Sequence, residues 1–109
     1  ALAQATAQLL ARVHARRDLS GVYHFSAANH TTRYDFATRI IALARQQLPP
    51  QTRWATLTRT TTANYPLPAT RPLNTSTSKD KLQRDFGITL PTWEEQIDAY
   101  IPTCIALRK

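Results

Sequence analysis

The sequence predicts an α+β fold, three to four helices with short strands, and three observations carry that reading. Apolar residues recur at helical spacing in separate stretches. One segment, Val22 to Ser26, is short, aromatic and β-branched, which suits a strand. The two glycines and most of the seven prolines fall between these elements, as punctuation.

Leu2, Thr6, Leu9, Leu10 and Val13 make one stripe of a first helix, with Gln4, Gln8, Arg12 and Arg16 opposite. That helix is expected to end near Asp18 to Gly21, with His14 at the edge of its apolar face. In the strand that follows, Tyr23 and Phe25 share one face and Val22, His24 and Ser26 the other. Thr32 is a good N-cap for a second helix from about Arg33 to Gln47, and Asp35 sits in the capping-box position. Phe36, Ala37, Ile40, Ile41, Ala44 and Leu48 form its inner stripe, and Pro49-Pro50 stops it. Arg53 to Thr58 reads as a strand or extended edge, and Leu73 to Thr75 as a very short strand. Ser76 or Thr77 begins a third helix, Lys79 to Phe86, closed by Gly87. Thr92-Trp93-Glu94-Glu95 is a capping box that opens a fourth helix. Trp93, Ile97, Tyr100 and Ile101 are expected to face inward, with Pro102 as the end.

A chain of 109 residues is at most one domain with a thin core. The absence of Met and an opening inside a helical pattern lead us to expect a piece of a longer protein. No 18-residue apolar run occurs, so no membrane span is expected, and no signal peptide is visible. Cys104 is the single cysteine, which excludes an internal disulfide. It suits a reducing, cytoplasmic compartment. The net charge is +7, but the arginines are scattered and do not alternate with aromatics. That distribution argues against a nucleic-acid surface. No Gly-rich phosphate loop, metal-ligand pair, nucleophile elbow or Tyr-x-x-x-Lys couple exists. Alone, the chain contains no catalytic engine.

The most informative stretch is Tyr65-Pro-Leu-Pro-Ala-Thr-Arg-Pro-Leu-Asn-Thr75, with three prolines in 11 residues. Each proline fixes φ and restricts its predecessor, so the segment is a stiff loop. It presents Arg71 from a nearly fixed backbone, which suits a bidentate anion such as a phosphate or carboxylate. The competing reading pairs Arg71 with a local carboxylate or a helix end.

The landmarks also fall in a specific order. Gly21-Val-Tyr-His-Phe-Ser26 precedes Thr32-Arg-Tyr-Asp-Phe-Ala37. The Pro-rich loop, Ser78-Lys-Asp-Lys-Leu82, Phe86-Gly-Ile88 and Leu90-Pro-Thr-Trp93 follow. This series resembles the C-terminal part of the dTDP-4-dehydrorhamnose reductase family, extended short-chain dehydrogenases/reductases, over residues 1–101. The resemblance implies an α/β Rossmann-type parent that reduces dTDP-6-deoxy-L-lyxo-4-hexulose to dTDP-L-rhamnose with NADPH. The cofactor and the catalytic Tyr/Lys couple would belong to an N-terminal Rossmann domain absent here. Residues 1–109 would be one substrate-binding region, inactive alone. It also implies a dTDP-sugar contact through Arg71, with Tyr65 and Asn74 as loop neighbours, and it admits Mg2+ and a homodimer in the parent. Tyr34 and Asp35 are expected to serve the helix start, and His24 to be structural. Two alternatives stand beside this. One is a non-catalytic relative of the type that regulates methionine adenosyltransferase; the other is a basic binding module.

Overall fold

The computed structural model describes residues 1–14 and 18–107. Among the described residues four α-helices form: α1 (Leu2–Val13), α2 (Arg33–Arg45), α3 (Asp80–Phe86) and α4 (Trp93–Ala106). A 3-10 turn spans Thr62–Asn64. The chain divides into two compact units: Ala1–Asn29 with Ser76–Gln96, and His30–Thr75 with Ile97–Lys109.

The helix starts follow local chemistry. Thr32 Oγ1 accepts the Asp35 backbone N–H at 3.0 Å and donates to Asp35 Oδ2 at 2.7 Å. Thr92 forms a complete capping box: its Oγ1 accepts the Glu95 N–H at 3.2 Å, and Glu95 Oε2 accepts the Thr92 N–H at 2.8 Å. The extra methylene of Glu lets it reach the cap's backbone, whereas the Asp35 carboxylate meets the cap's hydroxyl. The N-cap of α3 is Lys79, not Ser76 or Thr77, and it makes no side-chain cap bond; Ser78, one residue before it, accepts the Asp80 N–H at 3.1 Å. Gly87 ends α3 at φ 60°, ψ 25°, the left-handed C-cap that glycine adopts without a Cβ penalty.

The expected strands do not form: among the described residues there is no sheet. Val22 to Ala27 is extended, but a strand needs a neighbour to build a ladder, and none is present. What remains is an isolated parallel bridge between Ala28 and Thr92. There the Ala28 N–H donates to Pro91 O at 3.0 Å, and the Trp93 N–H to Ala28 O at 3.2 Å. Two carbonyls of the extended run accept from lysines of the α3 region. Lys81 Nζ reaches Val22 O at 3.4 Å, and Lys79 Nζ reaches Ala27 O at 3.2 Å. Arg53 to Thr58 and Leu73 to Thr75 likewise carry no strand.

The core of the first unit is Ala5, Leu82, Phe86 and Ile88, with Leu9, Val13, Leu19, Tyr23, Phe25 and Leu90 packed around it. Tyr23 and Phe25 therefore point inward together, while Val22 and His24 are exposed. The Tyr23 and Phe86 rings meet edge to face, 5.0 Å between centroids. Leu2 and Leu10, placed on the inner stripe of α1 by spacing, are 61% and 63% exposed. The buried face of α1 instead runs through Ala5, Leu9 and Val13, which pack against the core of the first unit. The described helix ends at Val13; Arg16 and Arg17 lie outside the described residues.

In the second unit Ala44 and Ile97 are buried. Arg39 links α2 to α4 through a two-pronged pair with Asp98, Nε to Oδ1 at 2.9 Å and Nη2 to Oδ2 at 2.5 Å. Phe36 and Tyr100 are more exposed than their helical spacing predicts, at 40% and 65%. Pro102 does not end α4; the helix continues to Ala106. A proline removes one backbone donor but its fixed φ is helical, so a single loss is tolerated where flanking bonds hold. The Leu107 N–H to Thr103 O bond at 3.1 Å shows the last turn intact beyond it.

Candidate functional site

Tyr65, Arg71 and Asn74 all lie on one continuous exposed stretch, residues 58–76. The Thr62–Asn64 turn leads into it, with the Asn64 N–H donating to Thr61 O at 3.1 Å and Tyr65 N–H to Thr62 O at 3.2 Å. Beyond that turn the chain has no helix or strand, only bends at Tyr65, Pro68, Ala69 and Leu73, and each proline fixes its own φ. Arg71 has no ion-pair partner among the described residues. The competing reading, in which it pairs with a nearby carboxylate, therefore does not hold here. Its guanidinium keeps its full set of donors for an external anion.

Tyr65, Leu67 and Leu73 add apolar surface to the same stretch, at 64%, 43% and 88% exposure. Large apolar side chains beside an open guanidinium are the composition of a recognition surface. Leu67 and Leu73 were not among the candidate site residues read from the sequence, which placed Leu73 in a very short strand and gave Leu67 no role. Their alternation with Pro66, Pro68 and Pro72 was the available signal.

The other polar constellations are structural. Arg59 Nη2 pairs with Asp35 Oδ1 at 3.1 Å and its guanidinium lies 4.6 Å from the Tyr34 ring centre. Asp35 thus serves the start of α2 through its cap with Thr32, as expected, and both side chains also contact Arg59. In the first unit the Tyr23 hydroxyl donates to Asp85 Oδ2 at 2.9 Å, and Lys81 Nζ sits 4.3 Å over the Tyr23 ring. Burial and then the Asp85 carboxylate raise the Tyr23 pKa, so this phenol holds its proton. Burial pushes Asp85 upward, but hydrogen bonds from Tyr23 and Arg84 and the charges of Arg84 and Lys81 outweigh it, and its pKa is lowered. The group buttresses the core and does not resemble a primed proton donor.

Neither implied cofactor fits the residues present. Gly21 and Gly87 are the only two glycines, each in its own turn, so there is no Gly-rich cradle for a dinucleotide. Among the described residues no group of three or more His, Cys, Asp or Glu could hold a metal ion. A cleft of about 170 Å³ in the first unit is lined by Leu2, Phe25, Ser26, Ala27, Leu90 and Gln96. That is small beside the several hundred Å³ of typical ligand sites. Among the described residues no helix is long and apolar enough to cross a membrane.

Comparison with known proteins gives a consistent picture. The family model for the RmlD substrate binding domain matches residues 1–105. The dTDP-4-dehydrorhamnose reductase of Escherichia coli K12 is 34% identical over 93 residues, 85% of this chain and 31% of that protein. The enzyme of the same name from Sinorhizobium fredii is 36% identical over 78 residues, 72% of this chain and 25% of that protein. That from Burkholderia thailandensis is 40% identical over 76 residues, 68% of this chain and 25% of its own length. The chain thus spans about a third or less of the curated relatives it matches.

Proposed function

Since the chain belongs to the RmlD substrate binding domain family, we propose that it is the nucleotide-sugar-binding region of a dTDP-4-dehydrorhamnose reductase. The whole enzyme reduces dTDP-6-deoxy-L-lyxo-4-hexulose to dTDP-L-rhamnose. NADPH supplies the hydride and is held, with any Mg2+, by parts of the enzyme outside these residues. This region binds and orients the sugar nucleotide, and alone it turns nothing over. The reaction takes place in the cytoplasm, where the dTDP-sugar and the N-terminal Rossmann domain are its partners, and the enzyme works as a homodimer.

The observation that carries the reading is Arg71: exposed, flanked by prolines and without a counter-ion among the described residues, in a chain matched to this family over residues 1–105. Two parallel N–H donors of a guanidinium match two oxygens of a diphosphate, and the prolines reduce the entropy lost on binding. Tyr65 contributes an aromatic face and Asn74 an amide beside it. The test is dTDP-sugar affinity in the whole enzyme. Arg71→Ala should weaken binding by about tenfold or more, the range of a lost charge-assisted hydrogen bond. Arg71→Lys should recover part of it, because charge survives but the fork does not. Unchanged affinity in Arg71→Ala would sink the assignment. Oxidation of NADPH by residues 1–109 mixed with the 4-keto sugar would refute the inactivity of this region alone.

A further inference from the structure

The geometry points to Arg59 as a positioning residue for the sugar-nucleotide loop, an inference that rests on the reading just given. Every residue from Thr58 to Ser76 is exposed, so burial does not set the course of this stretch. Leu57, half-buried just before it, is an anchor without direction. Arg59 supplies direction. Its guanidinium is held from two sides, by Asp35 Oδ1 at 3.1 Å and by the Tyr34 ring at 4.6 Å.

Both partners belong to the first turn of α2, which is capped and hydrogen-bonded as a helix. Asp35 is itself fixed, because its other oxygen accepts from Thr32 Oγ1 at 2.7 Å and its N–H is capped by the same hydroxyl. The short Asp side chain leaves Oδ1 free of the cap and available to Arg59. A planar cation gripped by a carboxylate and a ring can adopt few orientations. The chain therefore leaves Arg59 in a defined direction, enters the Thr62–Asn64 turn and delivers Tyr65 at the start of the Pro-braced segment. Arg59 touches no substrate in this scheme; it acts through the loop.

The experiment compares Arg59→Ala, Arg59→Lys, Asp35→Asn and the Arg59→Ala/Asp35→Asn double variant in the whole enzyme, with dTDP as the binding probe and Arg71→Ala alongside. Arg59→Ala should raise the dTDP Kd and the substrate KM by about threefold to tenfold, the range of an exposed ion pair plus a cation–π contact. The kcat should stay within about twofold, because uniform binding is lost and not transition-state binding. Asp35→Asn, which keeps a cap-forming side chain, should give the same split. The double variant should be no worse than either single one. Amide hydrogen exchange over residues 60–75 should quicken in Arg59→Ala, and Arg59→Lys should recover part of both effects. An unchanged Kd in Arg59→Ala beside a weakened Arg71→Ala overturns the role of Arg59 and leaves the loop assignment standing. Additive losses in the double variant overturn it as well. Unchanged affinity in Arg71→Ala removes the assignment itself and this inference with it.

Discussion

Gly21→Ala tests how the junction between α1 and the extended segment is built. Gly21 has φ 142°, a conformation that L side chains rarely adopt. A Cβ placed there would also lie 2.6 Å from Lys81 Nζ. The clash is with the end of a flexible side chain, so Lys81 can swing away. Doing so gives up its contacts with Val22 O and the Tyr23 ring, the smaller loss. The dihedral cannot be relieved that way, and holding a non-glycine residue there costs about 1–3 kcal/mol. In a region of this size that is a fall in Tm of about 4–8 °C for each kcal/mol. Urea unfolding followed by circular dichroism measures it, in both the native and the Lys81→Ala backgrounds. We expect nearly the same cost in both. A loss under about 0.5 kcal/mol would refute the dihedral argument, since surface substitutions without strain fall in that range. A cost that vanishes in the Lys81→Ala background would assign it to the clash instead.

Two further predictions follow from the packing and the ion pairs. Leu82 is 1% exposed at the centre of the first unit, so Leu82→Ala should destabilise by about 2–5 kcal/mol in urea titrations. Asp98 is held below the usual carboxylate pKa, first by its hydrogen bonds from Arg39 and also by the Arg39 charge, against a smaller opposing effect of burial. A depressed folded pKa stabilises above the unfolded value and is lost as pH falls through the lower one. Tm should therefore drop below about pH 3.8, the ordinary value, and Asp98→Asn should flatten that part of the profile.

The features legible in the sequence were those whose cause lies within a few residues. Thr32 with Asp35, Thr92 with Glu95, and Gly87 behind Phe86 each complete a helix end locally, and all three stand as expected. The start of α3 was only partly legible: its N-cap position falls on Lys79, which makes no side-chain cap bond, and the hydroxyl contact comes from Ser78 one residue earlier. The strand expected at Val22 to Ser26 has no ladder among the described residues, because β structure needs a partner strand and its local sequence cannot supply one. The sidedness of Leu10, Phe36 and Tyr100 was misjudged because helical spacing fixes which residues share a face, while neighbours decide whether it is covered. The open state of Arg71 was half legible. The prolines showed the stiffness, but the lack of a counter-ion among the described residues depends on where all seven acidic residues end up. The Arg59 clamp had no short-range signal, since its partners lie 24 and 25 positions away.

The two lysines that reach back to Val22 O and Ala27 O have a consequence for how this region behaves among many copies of itself. An extended aromatic segment with open carbonyls is a template on which a stray strand can nucleate an aggregate. Here an intruding strand would first have to displace two hydrated ammonium groups, and would then leave them facing its own backbone. Lys79 and Lys81 thus place positive charge on two carbonyls that an intruding strand would need, the kind of charge that blunts strand addition elsewhere.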